Sequence, residues 1–366
     1  MYDLAIIGAG PAGATLARLC ADRYRVLLLD RRPLDRAPVA LLPGPGPTKC
    51  CGGLVAPDAQ RELARLGVGL PGSVLVGPQL FAVHSLDLAT GRQRIYQRHY
   101  INVDRERFDR WLVSLVPPGV DRRFGRSLRG LRILRDRVEL VASGADRPIA
   151  ARMVVGADGA GSRVRRLCRD APAIRGYVAV QEWRAVSRPA PYFGAFFDPR
   201  ATDFYAWTIP KGDYLLVGAA LPPGRDARAR FERLLGAIDR TGFELGRRVR
   251  GEGARLLRPR HPGQLYPGRD RIALIGEAAG WISPSSAEGM SYAFASARLL
   301  GRSLQRGLAG AVDRYRRAAW PLAAGLLAKN LKSRVMYSPR ARGLILATGV
   351  GSVDVAVRGV LAPVRG

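Results

Sequence analysis

The chain has 366 residues, 47% of them hydrophobic, and a formal net charge of +29. That length allows one large domain or two closely joined ones with an ample core, and no run of 18 uncharged apolar residues suggests a membrane-spanning helix. Of the 59 basic residues, four are Lys and 55 are Arg, scattered rather than interleaved with aromatics, so a nucleic-acid partner is not expected. The excess charge still suits an anionic membrane surface or acidic substrates. Four cysteines (Cys20, Cys50, Cys51, Cys168) and three histidines (His84, His99, His261) show neither metal-ligand nor disulfide spacing, and no metal is expected. The sequence enters its first strand without a basic leader and apolar core, so a cytoplasmic location is expected.

Residues 1–7 read as a short buried strand, followed by Gly8-Ala9-Gly10-Pro11-Ala12-Gly13 and a helical pattern to about residue 21. Residues 24–29 read as a second buried strand that delivers Asp30 at its end, 22 positions after Gly8. This is the dinucleotide fingerprint in its required context. Gly8 serves the tight turn, Gly10 lets backbone approach a pyrophosphate, and Gly13 lets helix and strand pack closely. The pyrophosphate is expected at the helix N-terminus, where amide N–H groups and the helix dipole favour anions. Asp30 is expected to accept from an adenosine ribose, with Ala12 and Arg31 among the cofactor-binding positions.

Residues 31–49 are dense in Pro and Gly and read as a loop ending in Lys49-Cys50-Cys51-Gly52-Gly53. Residues 56–66 read as a helix, residues 74–100 as strands leaving the nucleotide domain, and residues 102–112 as a helix with Asp104 as N-cap. Short strands over 138–141 and 153–155 lead into Gly156-Ala157-Asp158-Gly159. A second excursion carries strand-like segments at 177–184, 192–197, 204–209 and 214–220, then a helix over 227–241. Residues 271–275 return as a strand, followed by Gly276-Glu277-Ala278-Ala279-Gly280 and a helix after Ser286. From residue 311 the pattern is mostly helical. The expected fold is α/β: a discontinuous Rossmann-like domain (1–73, 101–173, 265–310), a mainly antiparallel substrate domain (74–100, 174–264) and a helical C-terminal part (311–366).

Three glycine-bearing strand ends, at Gly8, Gly156 and Gly276, are more than a simple dinucleotide domain uses. In this combination the chain resembles the FAD-dependent group that includes aromatic hydroxylases and geranylgeranyl reductases, and most resembles the CbrA-like branch of the geranylgeranyl reductase family. The resemblance implies FAD as cofactor, with NAD(P)H, another reductant or an electron-donor partner as its source of electrons. It implies that Asp158-Gly159, with Ser162 and Arg165, lies around the FAD pyrophosphate. It implies that Gly276 to Gly289 faces the flavin, with Glu277 in place of the group's usual Asp on the ribityl chain. Gly280, Pro284, Gly289 and Met290 then shape the flavin edge, and Arg105 matches a helix-start arginine that contacts FAD.

Cys51-Gly52-Gly53 resembles the reductases' loop beside the isoalloxazine, where Cys51 either takes part in the chemistry or fills space. Phe204-Tyr205-Ala206-Trp207-Thr208-Ile209-Pro210-Lys211-Gly212 resembles their aromatic substrate motif. Strand alternation puts Tyr205, Trp207 and Ile209 on one face, which either lines an elongated apolar cavity or is ordinary sheet core. The candidate catalytic residues are Cys51, Tyr205 and Trp207. The implied activity is reduction of carbon–carbon double bonds in a prenyl-type or other lipophilic substrate by hydride from a reduced flavin. The alternatives are a monooxygenase of an aromatic or olefinic molecule, and a flavin- or lipid-binding protein without turnover. The segment from Arg314 to Tyr337 mixes cations with Trp320, Leu322, Leu326, Leu327 and Leu331, and reads either as a cap on the core or as a peripheral contact with an anionic membrane.

Overall fold

The computed structural model describes residues 1–36, 49–187 and 190–354. Most of the Pro- and Gly-rich loop and the end of the helical C-terminal part fall outside the described residues. Two eight-stranded sheets organise the rest. In the first, Ile272–Leu274, Ile149–Gly156, Tyr2–Ile7, Val26–Asp30 and Asp121–Phe124 lie side by side, all parallel. Val26–Asp30 is buried along its whole length, as a parallel strand covered on both faces must be. The fingerprint helix (Pro11–Cys20) packs against the helix Met290–Leu304, and Gly301 permits the approach, because a Cβ there would lie 3.3 Å from Leu19 Cδ1. A hairpin, Leu128–Ile133 and Val138–Ala142, adds antiparallel pairing at Ile149–Gly156.

The second sheet is antiparallel except where Phe193–Phe197 runs parallel to Leu80–Asp87. Its order is Arg247–Leu257, Gly176–Ala185, Tyr214–Leu221, Ala206–Lys211, Phe193–Phe197, Leu80–Asp87, Gln93–Asn102 and Leu54–Val55. One face packs on the helix Ala227–Asp239 through Phe231, Leu234 and Ile238. The other face gathers Leu80, Phe193, Phe197, Phe204, Tyr205, Trp207 and Ile209 into a separate aromatic cluster. The α/β class, the Rossmann-like unit and the antiparallel second sheet are as the sequence implies.

Some elements differ from the sequence expectation. The strands Asp121–Phe124, Leu128–Ile133 and Arg247–Leu257 carry mostly exposed Arg, so their apolar alternation is weak. The strand expected from residue 204 begins at Ala206, and the helix expected after Ser286 begins at Met290. Its delay has a local cause. The backbone folds on itself from Ser283 to Glu288, with Ser283 N–H donating to Glu288 O at 2.9 Å and Ala287 in the left-handed region at φ 54°.

Candidate dinucleotide and redox site

The first sheet's ladder runs straight into its glycines. Gly8 N–H donates to Leu29 O at 2.7 Å, Ala157 N–H to Ile7 O at 2.7 Å, and Ile275 N–H to Gly156 O at 3.0 Å. The three motifs therefore open side by side at the carboxyl ends of parallel strands, where open α/β sheets bind ligands. Packing explains two of the fingerprint glycines. A Cβ on Gly8 (φ 105°) would sit 2.4 Å from Ala157 O, and one on Gly13 would sit 1.8 Å from Gly8 O. Gly10 is different, because a Cβ there would meet nothing within 4 Å. Its backbone is extended, and the helix it opens has no side-chain cap. Open space before an uncapped helix N-terminus is a cradle for an anionic group. Ala12 borders the third motif, since a Cβ on Gly276 (φ 57°) would lie 3.2 Å from the Ala12 methyl.

Asp30 ends its strand buried, accepting from Ala9 N–H at 2.6 Å and from Arg32 N–H at 2.8 Å. Arg31 is exposed, and its neighbour Arg32 turns inward to bridge Asp30 and Asp109. Asp158 accepts from the Ser162 hydroxyl and from the amides of Arg163 and Val164, so its carboxylate shapes the second turn. Arg165 reaches the carbonyls of Ala278, Pro172 and Gln264 and ties that turn to the third motif. Glu277 accepts from Leu257 N–H at 3.0 Å, which joins the motif to the second sheet. Burial raises the Glu277 carboxyl above its ordinary value, against the opposing pull of Lys49 and Arg105. Gly280 (φ 90°) leaves no room for a Cβ, which would meet Ile174 at 2.8 Å. Pro284 offers its carbonyl to Arg258 at 3.0 Å. Gly289 caps the helix that Met290 opens, and Glu288 accepts from Ser291 N–H at that N-terminus.

The Cys51–Gly53 loop lies where the two sheets meet. A Cβ on Gly52 would be 2.6 Å from Ile209 Cδ1, and one on Gly53 (φ 61°) would be 2.3 Å from Val103 O. The glycines are thus required by close approach to the second sheet. Arg105 donates from Nη1 to Cys51 Sγ at 3.2 Å and pairs through Nε with fully buried Asp109 at 2.8 Å. Arg105 Nη2 is buried and has no hydrogen-bond partner among the described residues. A buried guanidinium nitrogen with no partner among the described residues fits an acceptor supplied by a ligand. Burial pushes the Cys51 thiol up, but Arg105, Lys49 and a Gly53 backbone hydrogen bond together leave it below an ordinary thiol. Cys50 goes the other way, raised by burial and by Glu252.

Lys211 closes the same loop from the second sheet. Its Nζ donates to Asn102 Oδ1 at 2.5 Å, Val103 O at 2.8 Å and Gly53 O at 3.3 Å, which occupies all three ammonium protons. Burial pulls this amine down to about 7.

Tyr205, Trp207 and Ile209 share one face and pack into an aromatic cluster. Tyr205 donates its hydroxyl proton to Ser286 O at 2.8 Å, and Trp207 Nε1–H donates to Gln181 at 3.3 Å. The Trp207 indole lies over Gly218, where a Cβ would come within 2.5 Å of the ring. A cavity of about 100 Å³ lies at one end of this cluster, between Phe197, Phe204, Tyr337 and Arg342. Met336 and Tyr337 from the long helix Trp320–Tyr337 cover the remainder.

Residues 6–34 match the family model of an NAD(P)-binding Rossmann-like domain. Over 354 residues the chain is 40% identical to protein CbrA of Escherichia coli O6:H1, spanning 96% of this chain and 94% of that one. The chain belongs to the CbrA family. Among solved structures, this CbrA-family chain is similar to a geranylgeranyl bacteriochlorophyll reductase-like protein from Thermoplasma acidophilum, with a TM-score of 0.80, 18% identity and coverage of 98% and 94% of the two chains. It is also similar to PqsL of Pseudomonas aeruginosa, described as a probable FAD-dependent monooxygenase, with a TM-score of 0.66, 17% identity and coverage of 96% and 100%. At such identities these likenesses establish the fold.

Several residues of this CbrA-family site went unmarked by the sequence. Lys211 was visible only as the end of the aromatic motif, and its clamp on the Cys51–Gly53 loop shows only once its partners are placed. Asp109 and Asn102 carried no signal, because a helix acid and a strand-end amide look like surface residues until their partners are placed. Arg258 is one of 55 arginines, yet it is buried, stacks over Phe204 with its carbon 4.3 Å from the ring centre, and holds Pro284, Tyr177 and Ser333 together.

Proposed function

We propose that this protein is an FAD-dependent oxidoreductase that reduces carbon–carbon double bonds of a lipophilic, prenyl-type substrate. The observation that carries the cofactor reading is the convergence of three glycine motifs on one cradle, open at Gly10; the buried Arg105 Nη2, without a partner among the described residues, adds to it. Such a cradle suits a dinucleotide longer than its first motif alone would hold. Gly10, Ala12 and Gly13 would receive the pyrophosphate, Asp30 the adenosine ribose, and Glu277, Arg105 and the Cys51–Gly53 loop the flavin half. A bound flavin supplies two-electron transfer between a reductant and the substrate, which the protein orients and tunes.

The chain's own groups supply the remainder. Saturating a double bond also needs a proton at the second carbon. Cys51 Sγ suits that role, since Arg105 and Lys49 make it more acidic than a free thiol. Tyr205 suits it poorly: its proton is committed to Ser286 O, and burial raises its pKa. Tyr205 and Trp207 are therefore wall residues that exclude water from the aromatic face. Lys211 positions the loop that bears Cys51.

The deciding experiment reduces the purified protein without oxygen and offers it prenyl lipids of different lengths. Product gaining two hydrogens across a double bond supports the reductase. Product that carries isotopic oxygen after aerobic turnover, without saturation, would establish a monooxygenase instead.

A further inference from the structure

The helix Trp320–Tyr337 buries a mixed inner face and exposes an apolar stripe on the other side. Ala323, Leu326, Asn330 and Ser333 face inward. On the opposite side Trp320 (70% exposed), Leu327, Leu331 (57% exposed) and Val335 form a stripe at spacings of seven, four and four residues, which lies along one side of an α-helix. The following helix, Pro339–Thr348, extends it with exposed Leu344 and Ile345, and Val350 lies just beyond. Exposed apolar side chains aligned over two successive helices mark a contact surface.

The charge around the stripe identifies its partner. Residues 314–353 contain no Asp or Glu. Exposed Lys332 and Arg334 fall on either side of the stripe at 100° per residue, and Arg340 is exposed at the start of the next helix. Acids from outside that approach this segment are paired within it: Asp313 with Arg316 at 3.5 Å, Asp58 with Lys329 at 3.0 Å and Asp87 with Arg342 at 2.7 Å. A second copy of the chain would set this basic rim against its own image. An anionic lipid surface offers apolar depth for the stripe and negative headgroups for the rim. No helix among the described residues is long and apolar enough to cross a membrane, so the contact is with the surface.

We propose that the outer face of these two helices docks the protein on an anionic lipid bilayer. The inner face of the long helix ends at Met336 and Tyr337, which cover the aromatic cluster, and the cavity of about 100 Å³ lies there between Phe204, Tyr337, Pro339 and Arg342. Docking therefore sets the lipid phase one helix away from the aromatic face, the side from which a lipophilic substrate would arrive. That use of the surface rests on the lipophilic-substrate reading; the docking does not.

The test is flotation of the full chain with phosphatidylcholine vesicles made with and without phosphatidylglycerol. The wild type floats with the phosphatidylglycerol vesicles and is released by salt. Leu327→Asp combined with Leu331→Asp lowers binding roughly tenfold or more, and Lys332→Glu combined with Arg334→Glu lowers it on anionic vesicles alone. Circular dichroism and flavin content, unchanged in both, show that the variants are folded. Wild type that does not float overturns the proposal. So does a wild-type dimer that the double Asp variant splits without any vesicle binding, because the face is then an interface between copies. Flotation needs no turnover, so its failure leaves the redox reading intact, and failure to reduce a prenyl lipid leaves the docking intact.

Discussion

Gly10 and Gly13 stand three residues apart in one motif and fail in opposite ways when substituted. Gly10→Val adds a side chain in open space on extended backbone, so stability should change by about 1 kcal/mol or less, the scale of an altered N-cap. The same side chain fills the cradle, so flavin content should fall at least tenfold. Gly13→Ala drives a methyl into Gly8 O and should cost roughly 1–3 kcal/mol. Thermal melts read beside the flavin absorbance of each variant separate the two effects, and a Gly10→Val protein that keeps its colour would remove the pyrophosphate from this turn. Cys51 allows a second test at this scale. Its thiol lies below the ordinary thiol value of about 8.5, so its alkylation rate should rise at a lower pH than that of a free cysteine. Arg105→Gln should move that midpoint upward. The sign for stability follows: a thiolate favoured by the fold stabilises it above the ordinary thiol value, and that contribution is lost as pH falls through the lowered one. Asp109, fully buried between Arg105 and Arg32, should cost about 3–5 kcal/mol as Asp109→Asn, because two guanidinium groups lose their buried counter-charge.

At the scale of elements, the Lys211 clamp joins the Cys51–Gly53 loop to the second sheet. Lys211→Met should leave the oxygens of Asn102, Val103 and Gly53 without their donor, at a cost of about 1–3 kcal/mol. Hydrogen exchange should quicken at residues 51–53 and 102–103 before it does in the parallel sheet; uniform exchange would show that the loop is held by other contacts. The same contrast explains what the sequence could reveal. The fingerprint strands and helix were legible because their apolar residues are continuous and their glycines sit at fixed spacing. The strand Arg247–Leu257 was not, because Arg247, Arg248 and Arg250 with Gly251, Glu252 and Gly253 leave no apolar alternation to read. The glycines of the Cys-Gly-Gly loop were visible, but their reason, close approach to Ile209 and Val103, exists only after the second sheet packs against them. The alternation of Tyr205, Trp207 and Ile209 identified a buried face and could not distinguish a packed wall from a cavity.

At the scale of the molecule, a parallel sheet ends in a glycine-lined cradle, and an antiparallel sheet turns its aromatic face toward the same place. The Cys51–Gly53 loop, Glu277 and Lys211 connect them. The central claim is that the cradle holds the AMP and pyrophosphate half of FAD, and that claim can be tested because FMN lacks the AMP moiety and carries only one of the two phosphates. The measurement is a titration of flavin-free protein with FAD and with FMN, followed by flavin fluorescence. The account predicts tight binding of FAD, weak binding of FMN, and FAD affinity in Gly10→Val reduced to the FMN level. Equal affinity for the two flavins in the wild type, or binding of neither, would contradict it.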